Sequence, residues 1–174
     1  ALTLLLTGSG IYAESQVPSK CKYKTQQRVI LEITSFDISV DYFIKKRCSY
    51  WKGNKDVMLA ALKKDGRALR YASEKLKDDK DVVLAAVNKN GWALQYASEE
   101  LKNDKDVVLA AVTEHGYVFD DLANSMKKEI FKDRKAMTSV IKAQCKYSLF
   151  SGVCKSTKNA LNFIGYYKLK ALFY

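Results

Sequence analysis

Lys55–Asp79 reads KDVMLAALKKDGRALRYASEKLKDD and Lys80–Asp104 reads KDVVLAAVNKNGWALQYASEELKND, agreeing at 17 of 25 positions. Lys105–Gly116 (KDVVLAAVTEHG) writes the opening a third time, so Gly66, Gly91 and Gly116 stand one period apart. Self-similarity at a fixed period indicates stacked supersecondary units and not a compact fold around one pocket. Such an architecture favours surface recognition over catalysis.

Each copy begins at an acidic or amide residue, Asn54, Asp79 or Asp104, with a carboxylate two places on at Asp56, Asp81 or Asp106. The first residue can cap the free N–H groups of a new helix, and the second suits the positive end of its dipole. The apolar run Val82–Val87 that follows also fits a buried strand by periodicity alone. Its alanine pair, its acidic opening and the glycine four residues beyond it favour a helix of about three turns. On this reading Gly91 ends the helix in a left-handed conformation. In the second half, Ala93, Leu94, Ala97 and Leu101 form the stripe of an amphipathic helix. Each unit is then an αα-hairpin that buries both faces of its first helix only by stacking on neighbours.

Degenerate copies extend the pattern outward. Val29-Ile30-Leu31 precedes Val57-Met58-Leu59, and Gln27–Arg47 fits two short helices, although the alternation of Val29, Leu31 and Ile33 also fits a strand pair. Beyond the third copy, Ala136-Met137 and Val140-Ile141 restart a helical stripe, and a last helix is expected near Ser156–Ala171. The fold class is therefore all-α: a short solenoid of about five hairpins, with regular repeats at 55–79, 80–104 and 105–134. Degenerate caps cover 20–54 and 135–174, and residues 14–174 form one helical-repeat domain. Residues 1–13 resemble the end of a secretory signal peptide: Ala1–Leu6 is largely apolar, Thr7–Tyr12 is small and Gly-rich, and Ala13 precedes Glu14. An ordinary buried N-terminal element is the alternative, against which Gly8 and Gly10 argue.

All four cysteines lie outside the well-formed copies, Cys21 and Cys48 before them and Cys145 and Cys154 after. Pairing within each end is the simplest disulfide scheme, stapling the units with the poorest capping. Four buried thiols are the alternative. With the leader, the cysteines point to a secreted or periplasmic location. A zinc site has no support, because no C-x-x-C occurs and His115 is the only histidine.

The net charge of +11 is unevenly placed. Residues 55–134 carry 15 basic and 15 acidic side chains, whereas residues 135–174 carry seven lysines and no acid. Lys155, Lys158, Lys168 and Lys170 interleave there with Phe163, Tyr166, Tyr167 and Phe173, a candidate basic patch for a membrane, glycan or nucleic acid. A capping helix with inward aromatics and solvated lysines explains the same residues. The lack of arginine in this segment weakens a dedicated phosphate site.

No catalytic constellation emerges: G-x-G-x-x-G, P-loop, H-E-x-x-H and G-x-S-x-G patterns are all missing. His115 falls at the turn of the third unit, where its equivalents Asp65 and Asn90 are turn formers. No enzyme activity, cofactor, metal or small-molecule substrate is expected. The informative positions are those that vary inside the repeat, in a context that barely changes between the first two copies: Arg67, Trp92 and Tyr117 just after each glycine, and Arg70, Gln95 and Asp120 three residues on. Trp, Tyr and Arg dominate binding hot spots, so these six form a candidate binding face. Alternatively, Trp92 and Tyr117 cover a hairpin corner as packing. Tyr71 and Tyr96, identical in both full copies, read as structural.

The string KDVVLAAVxxxGxALxYASExLKxD within Asp56–Val112 resembles the tandem helical repeat family named domain of unknown function (DUF4116). The resemblance implies a helical repeat and carries over no catalytic residue, cofactor or substrate. The third unit departs from the pattern at Asp121-Leu122-Ala123. The function expected is that of an exported module binding another macromolecule, most simply a protein. Anionic-surface binding through the C-terminal cap and a purely structural envelope role are the alternatives.

Overall fold

The structure, a computed structural model, describes residues 25–35 and 49–147, with backbone alone at 49 and 144–147. Expectations for residues 1–13, for Lys155, Lys158, Lys168 and Lys170, and for the helix near 156–171 lie outside the described residues. So do the side chains of Cys21, Cys48, Cys145 and Cys154.

The helices are α1 (Gln26–Ser35), α2 (Lys55–Lys64), α3 (Glu74–Lys77), α4 (Lys80–Lys89), α5 (Glu99–Lys102), α6 (Lys105–Glu114), α7 (Asn124–Lys132) and α8 (Arg134–Tyr147). Four 3₁₀ helices intervene: η1 (Ser49–Gly53), η2 (Gly66–Tyr71), η3 (Gly91–Tyr96) and η4 (Gly116–Asp121). No strand occurs among the described residues, and none of their helices is long and apolar enough to cross a membrane. Helices α1, α2, α4, α6 and α8 pack in that order as one wall. Each of η2, η3 and η4 lies on the seam between its own long helix and the next, making a second layer. The array is the all-α repeat stack that the sequence predicts.

The composition of the long helices suits a position between two neighbours. In α4, Val82 and Ala86 form one buried row and Val83 and Val87 another, each at i, i+4. α6 repeats this with Val107, Val108, Ala111 and Val112, and α2 with Val57, Met58, Ala61 and Leu62. At the ends, α1 buries Val29 and Ile33, which settles that segment as helix and not strand. α8 buries the expected Ala136, Met137, Val140 and Ile141. The wall helices begin at residues 26, 55, 80, 105 and 134. Spacing is thus tight between inner units and wider at both ends, with the longer α7 taking up the extra chain before α8. A plug residue recurs at the same register in successive units: Trp51, Leu76, Leu101 and Met126, all buried.

Two local expectations are corrected. No described glycine has positive φ. Helix α4 ends at Asn90 in extended backbone (φ −154°, ψ 106°), whose side chain accepts from the Trp92 N–H and starts η3. Gly91 is required for space: a Cβ there would stand 2.3 Å from the Ala111 carbonyl oxygen of the next unit. Gly66 meets the Ala86 carbonyl oxygen in the same way, at 2.3 Å. The repeated glycine is therefore a stacking residue.

The second arm is also not one continuous helix. Ala93, Leu94, Ala97 and Leu101 are all buried as the stripe requires, but they sit on η3, a bend at Ala97–Ser98 and the single turn α5. The extended bend (ψ 164° at Ala97, 158° at Ser98) frees the Ser98 N–H to donate to Lys77 O of the preceding unit at 3.0 Å. Ser73 N–H does the same to Lys52 O, at 3.0 Å. Local helix continuity is exchanged for a bond between units.

A second set of ties runs along the helix N-termini. Oδ1 of Asp104 caps α6, accepting from the N–H groups of Asp106 (3.0 Å) and Val107 (3.1 Å). Its Oδ2 accepts from Lys80 Nζ of the preceding helix at 2.8 Å. Asp79 divides its oxygens likewise between α4 and Lys55 Nζ (2.7 Å), and Asp133 between α8 and Lys105 Nζ (2.8 Å). At the first interface an amide pair replaces the charges. Asn54 Oδ1 caps α2, and its Nδ2 donates to Gln26 Oε1 at 3.1 Å. The hydrogen bond from Lys80 holds the Asp104 carboxyl below its ordinary pKa despite partial burial. That from Lys105, with the capped N–H groups, brings Asp133 down to about 2. Lys80 and Lys105 are raised in turn, first by the same bonds to Asp104 and Asp133.

Candidate interaction surface

The register that places the plug residues inside places the variable positions outside. Within η2, η3 and η4 the pattern is fixed: Ala68 and Leu69, Ala93 and Leu94, and Val118 and Phe119 are buried. Arg67, Arg70, Trp92, Gln95, Tyr117 and Asp120 are all exposed, Trp92 by 40% and Tyr117 by 50%. The structure therefore places the six predicted face residues at equivalent positions of three successive 3₁₀ helices, of which η2 and η3 pack against each other. Trp92 and Tyr117 are among the few large apolar side chains left exposed among the described residues. Tyr71 and Tyr96, by contrast, are half-buried against the core, as their identity in both copies suggests.

Neighbouring bonds hold the face in position. Asp65 caps η2 through the Arg67 N–H (3.0 Å) and pairs with the Arg67 guanidinium, Nη2 to Oδ2 at 3.0 Å. Burial pushes the Asp65 carboxyl up, but the bonds from Arg67 outweigh it and leave it below its ordinary value. Arg70 stacks over the Tyr71 ring, 4.5 Å from its centroid, and hydrogen-bonds the Tyr71 hydroxyl. Gln95 Nε2 donates to Trp92 O at 3.0 Å, and Lys127 Nζ to Asp120 O at 2.7 Å. His115 is a stacking residue: its Nδ1 accepts the Gly91 N–H of the preceding unit at 3.1 Å.

Beside Trp92 the second layer opens into a groove of about 370 Å³. Leu94, Val118, Leu122 and Met126 supply its apolar lining, and Trp92, Gln95, Lys102 and Asp121 are among its polar and aromatic walls. The opening lies where the third copy departs from the pattern. Asp121-Leu122-Ala123 stands at the register of Tyr96-Ala97-Ser98, and Ala123 does not repeat the bond that Ser98 N–H makes to Lys77. The unmatched tripeptide was the only sequence signal for this groove, and the lining residues Val118, Leu122 and Met126 were not foreseen. Lys102 pairs with Glu99 at 2.7 Å. Among the described residues, no group of three His, Cys, Asp or Glu comes together as a metal site.

Residues 54–97 and 79–127 match the model of a family described as a domain of unknown function (DUF4116). The matches overlap along the stacked copies over residues 54–127, as a tandem repeat similar to that family would give. No curated protein and no solved structure matches the chain.

Proposed function

We propose that this chain is a non-catalytic interaction module that binds another protein through the outward face of its 3₁₀ layer. The observation that carries this reading is the placement of Arg67, Trp92 and Tyr117 at one exposed register of three successive units, each framed by buried residues. Buried frames at one register with differing outward residues provide a surface whose chemistry varies along its length. Export to a secreted or periplasmic location fits the leader-like Ala1–Ala13 and the four cysteines outside the regular copies. Non-reduced peptide mapping tests this part, and four free thiols would remove its main support.

A second reading rests on charge: seven lysines without an acid in residues 135–174 suit an anionic surface. Comparing captured proteins for the wild type, for Trp92→Ala with Tyr117→Ala, and for Lys158→Glu with Lys168→Glu and Lys170→Glu separates the two. The leading proposal expects one partner lost with the aromatic pair and retained with the lysine variant. Retention in the aromatic variant rejects this face. Loss in the lysine variant, with a steep decline as salt rises, favours the basic cap.

A further inference from the structure

We infer that the groove between η3 and η4 takes one short stretch of a protein partner, an apolar residue followed by an arginine, with the peptide group between them bonded into the seam. The inference rests on the interaction-module reading and names the ligand for one part of that face.

The seam between the second and third units differs from the ones before it. Ser73 N–H donates to Lys52 O and Ser98 N–H to Lys77 O, each at 3.0 Å. The equivalent groups, the Ala123 N–H and the Lys102 carbonyl, make no such bond, and both residues line the groove of about 370 Å³. At the preceding seam Tyr96 is half-buried against the core, and η2 packs on η3. Asp121 stands at that register in the third unit, and η3 has little contact with η4. A trans peptide group points its C=O and its N–H in opposite directions. Inserted here, it accepts from the Ala123 N–H and donates to the Lys102 carbonyl, so the tie between units runs through the ligand. Main-chain pairing of this kind gives affinity, and the flanking side chains give specificity.

The lining selects those side chains. Leu94, Val118, Leu122 and Met126 make the groove apolar on one side. Its volume is at the low end of those that hold small ligands, which suits an aliphatic side chain and excludes a helix. The charged residues of the lining are Glu99, Lys102 and Asp121. Lys102 Nζ is tied to Glu99 at 2.7 Å, so that pair is neutral. Asp121 is exposed and joins no ion pair among the described residues, which leaves the groove with a net negative charge. Trp92 shares the lining with it and is 40% exposed. Its backbone is held on both sides, the N–H by Asn90 Oδ1 and the carbonyl by Gln95 Nε2. Arginine matches this combination, because a guanidinium stacks on an indole and pairs with a carboxylate. The chain makes a similar contact internally, where the Arg70 guanidinium lies 4.5 Å from the Tyr71 ring centroid.

The chain provides its own reporter, because it has two tryptophans, of which Trp51 is 3% exposed and Trp92 40%. Fluorescence of the full chain would be titrated with the end-capped peptide Gly-Leu-Arg-Gly and two analogues. One carries norleucine in place of arginine, and the other an ester oxygen in place of the arginine N–H. Saturable binding of the parent peptide is expected, weakened about tenfold in the norleucine analogue and about fivefold in the ester. Asp121→Asn, with far-ultraviolet circular dichroism as a folding control, should weaken the parent peptide about tenfold and leave the norleucine analogue unchanged. A general loss of structure would weaken both. Absent binding, equal affinity for the parent and either analogue, or an unchanged parent affinity in Asp121→Asn overturns the inference. Agmatine, a guanidinium without a peptide group, binding as tightly as the parent would mark a small-cation site and overturn it too. A captured partner lost with the aromatic pair while every peptide fails would overturn the ligand class and leave the interaction module standing.

Discussion

Gly66 and Gly91 show how one residue sets the pitch of the whole stack. Neither has an unusual backbone angle, and both lack room for a Cβ, which would stand 2.3 Å from a carbonyl oxygen of the next helix. Gly91→Ala must therefore push two units apart and should destabilise by about 3 kcal/mol, the upper range for overpacking. Gly53→Ala is the control, since its new Cβ would meet only Ser73 Oγ at an ordinary 3.8 Å. Equal melting temperatures for the two variants would reject the stacking role. Asn54 makes a related point. It is 2% exposed, and an amide there can cap α2 and donate to Gln26 without burying a charge. Asn54→Asp should cost about 2 kcal/mol at neutral pH, because the new carboxylate is buried and loses a donor. Adding Gln26→Lys recreates the Lys–Asp pair of the inner units and should recover most of that loss in a double-mutant cycle.

At the scale of elements, the long helices were legible because their signals are local: an acidic or amide cap, an apolar run and a fixed period. The second arm was not. Its stripe of Ala93, Leu94, Ala97 and Leu101 fits a continuous helix equally well. The break depends on the Ser98 N–H finding a carbonyl in another unit, which no local pattern encodes. The glycine misled for the same reason, since the constraint on Gly91 comes from Ala111 of the next copy. The row proposed as a binding face was readable through positions that vary within a frame shared by the first two copies. The groove was not: it lies where Ala123 does not repeat the inter-unit bond of Ser98, a contact no local pattern encodes. Restoring the consensus with Asp121→Tyr, Leu122→Ala and Ala123→Ser should reinstate that bond and close the groove. Stability should hold or rise, while affinity for the captured partner falls about tenfold. Retained affinity with a raised melting temperature would show that the groove contributes nothing to recognition.

For the whole molecule, the ties along the helix N-termini make stability depend on pH to an extent that varies along the stack. The carboxyls of Asp79, Asp104 and Asp133 are depressed in the folded state, Asp133 from 3.8 to about 2. A depressed carboxyl contributes stability that is present above its unfolded value and lost as pH falls through the folded one. The lysines behave oppositely. Lys55, Lys80 and Lys105 are raised above 10.5, so their share is present below that value and lost at higher pH. Stability should therefore be level through the neutral range, falling below about pH 4 and again above about pH 10.5. The first interface differs, because the Gln26–Asn54 amide pair does not titrate. In a stack where each unit touches only its neighbours, local losses remain local. Hydrogen exchange followed from pH 7 to about pH 2 should thus show protection failing in α4, α6 and α8 while the α1–α2 pair retains more of its own. Asp104→Asn, which keeps the cap and removes the charge, should flatten the acid limb at the α4–α6 interface. Uniform loss of protection along the chain, with no difference in this variant, would show that these ties do not govern the acid response.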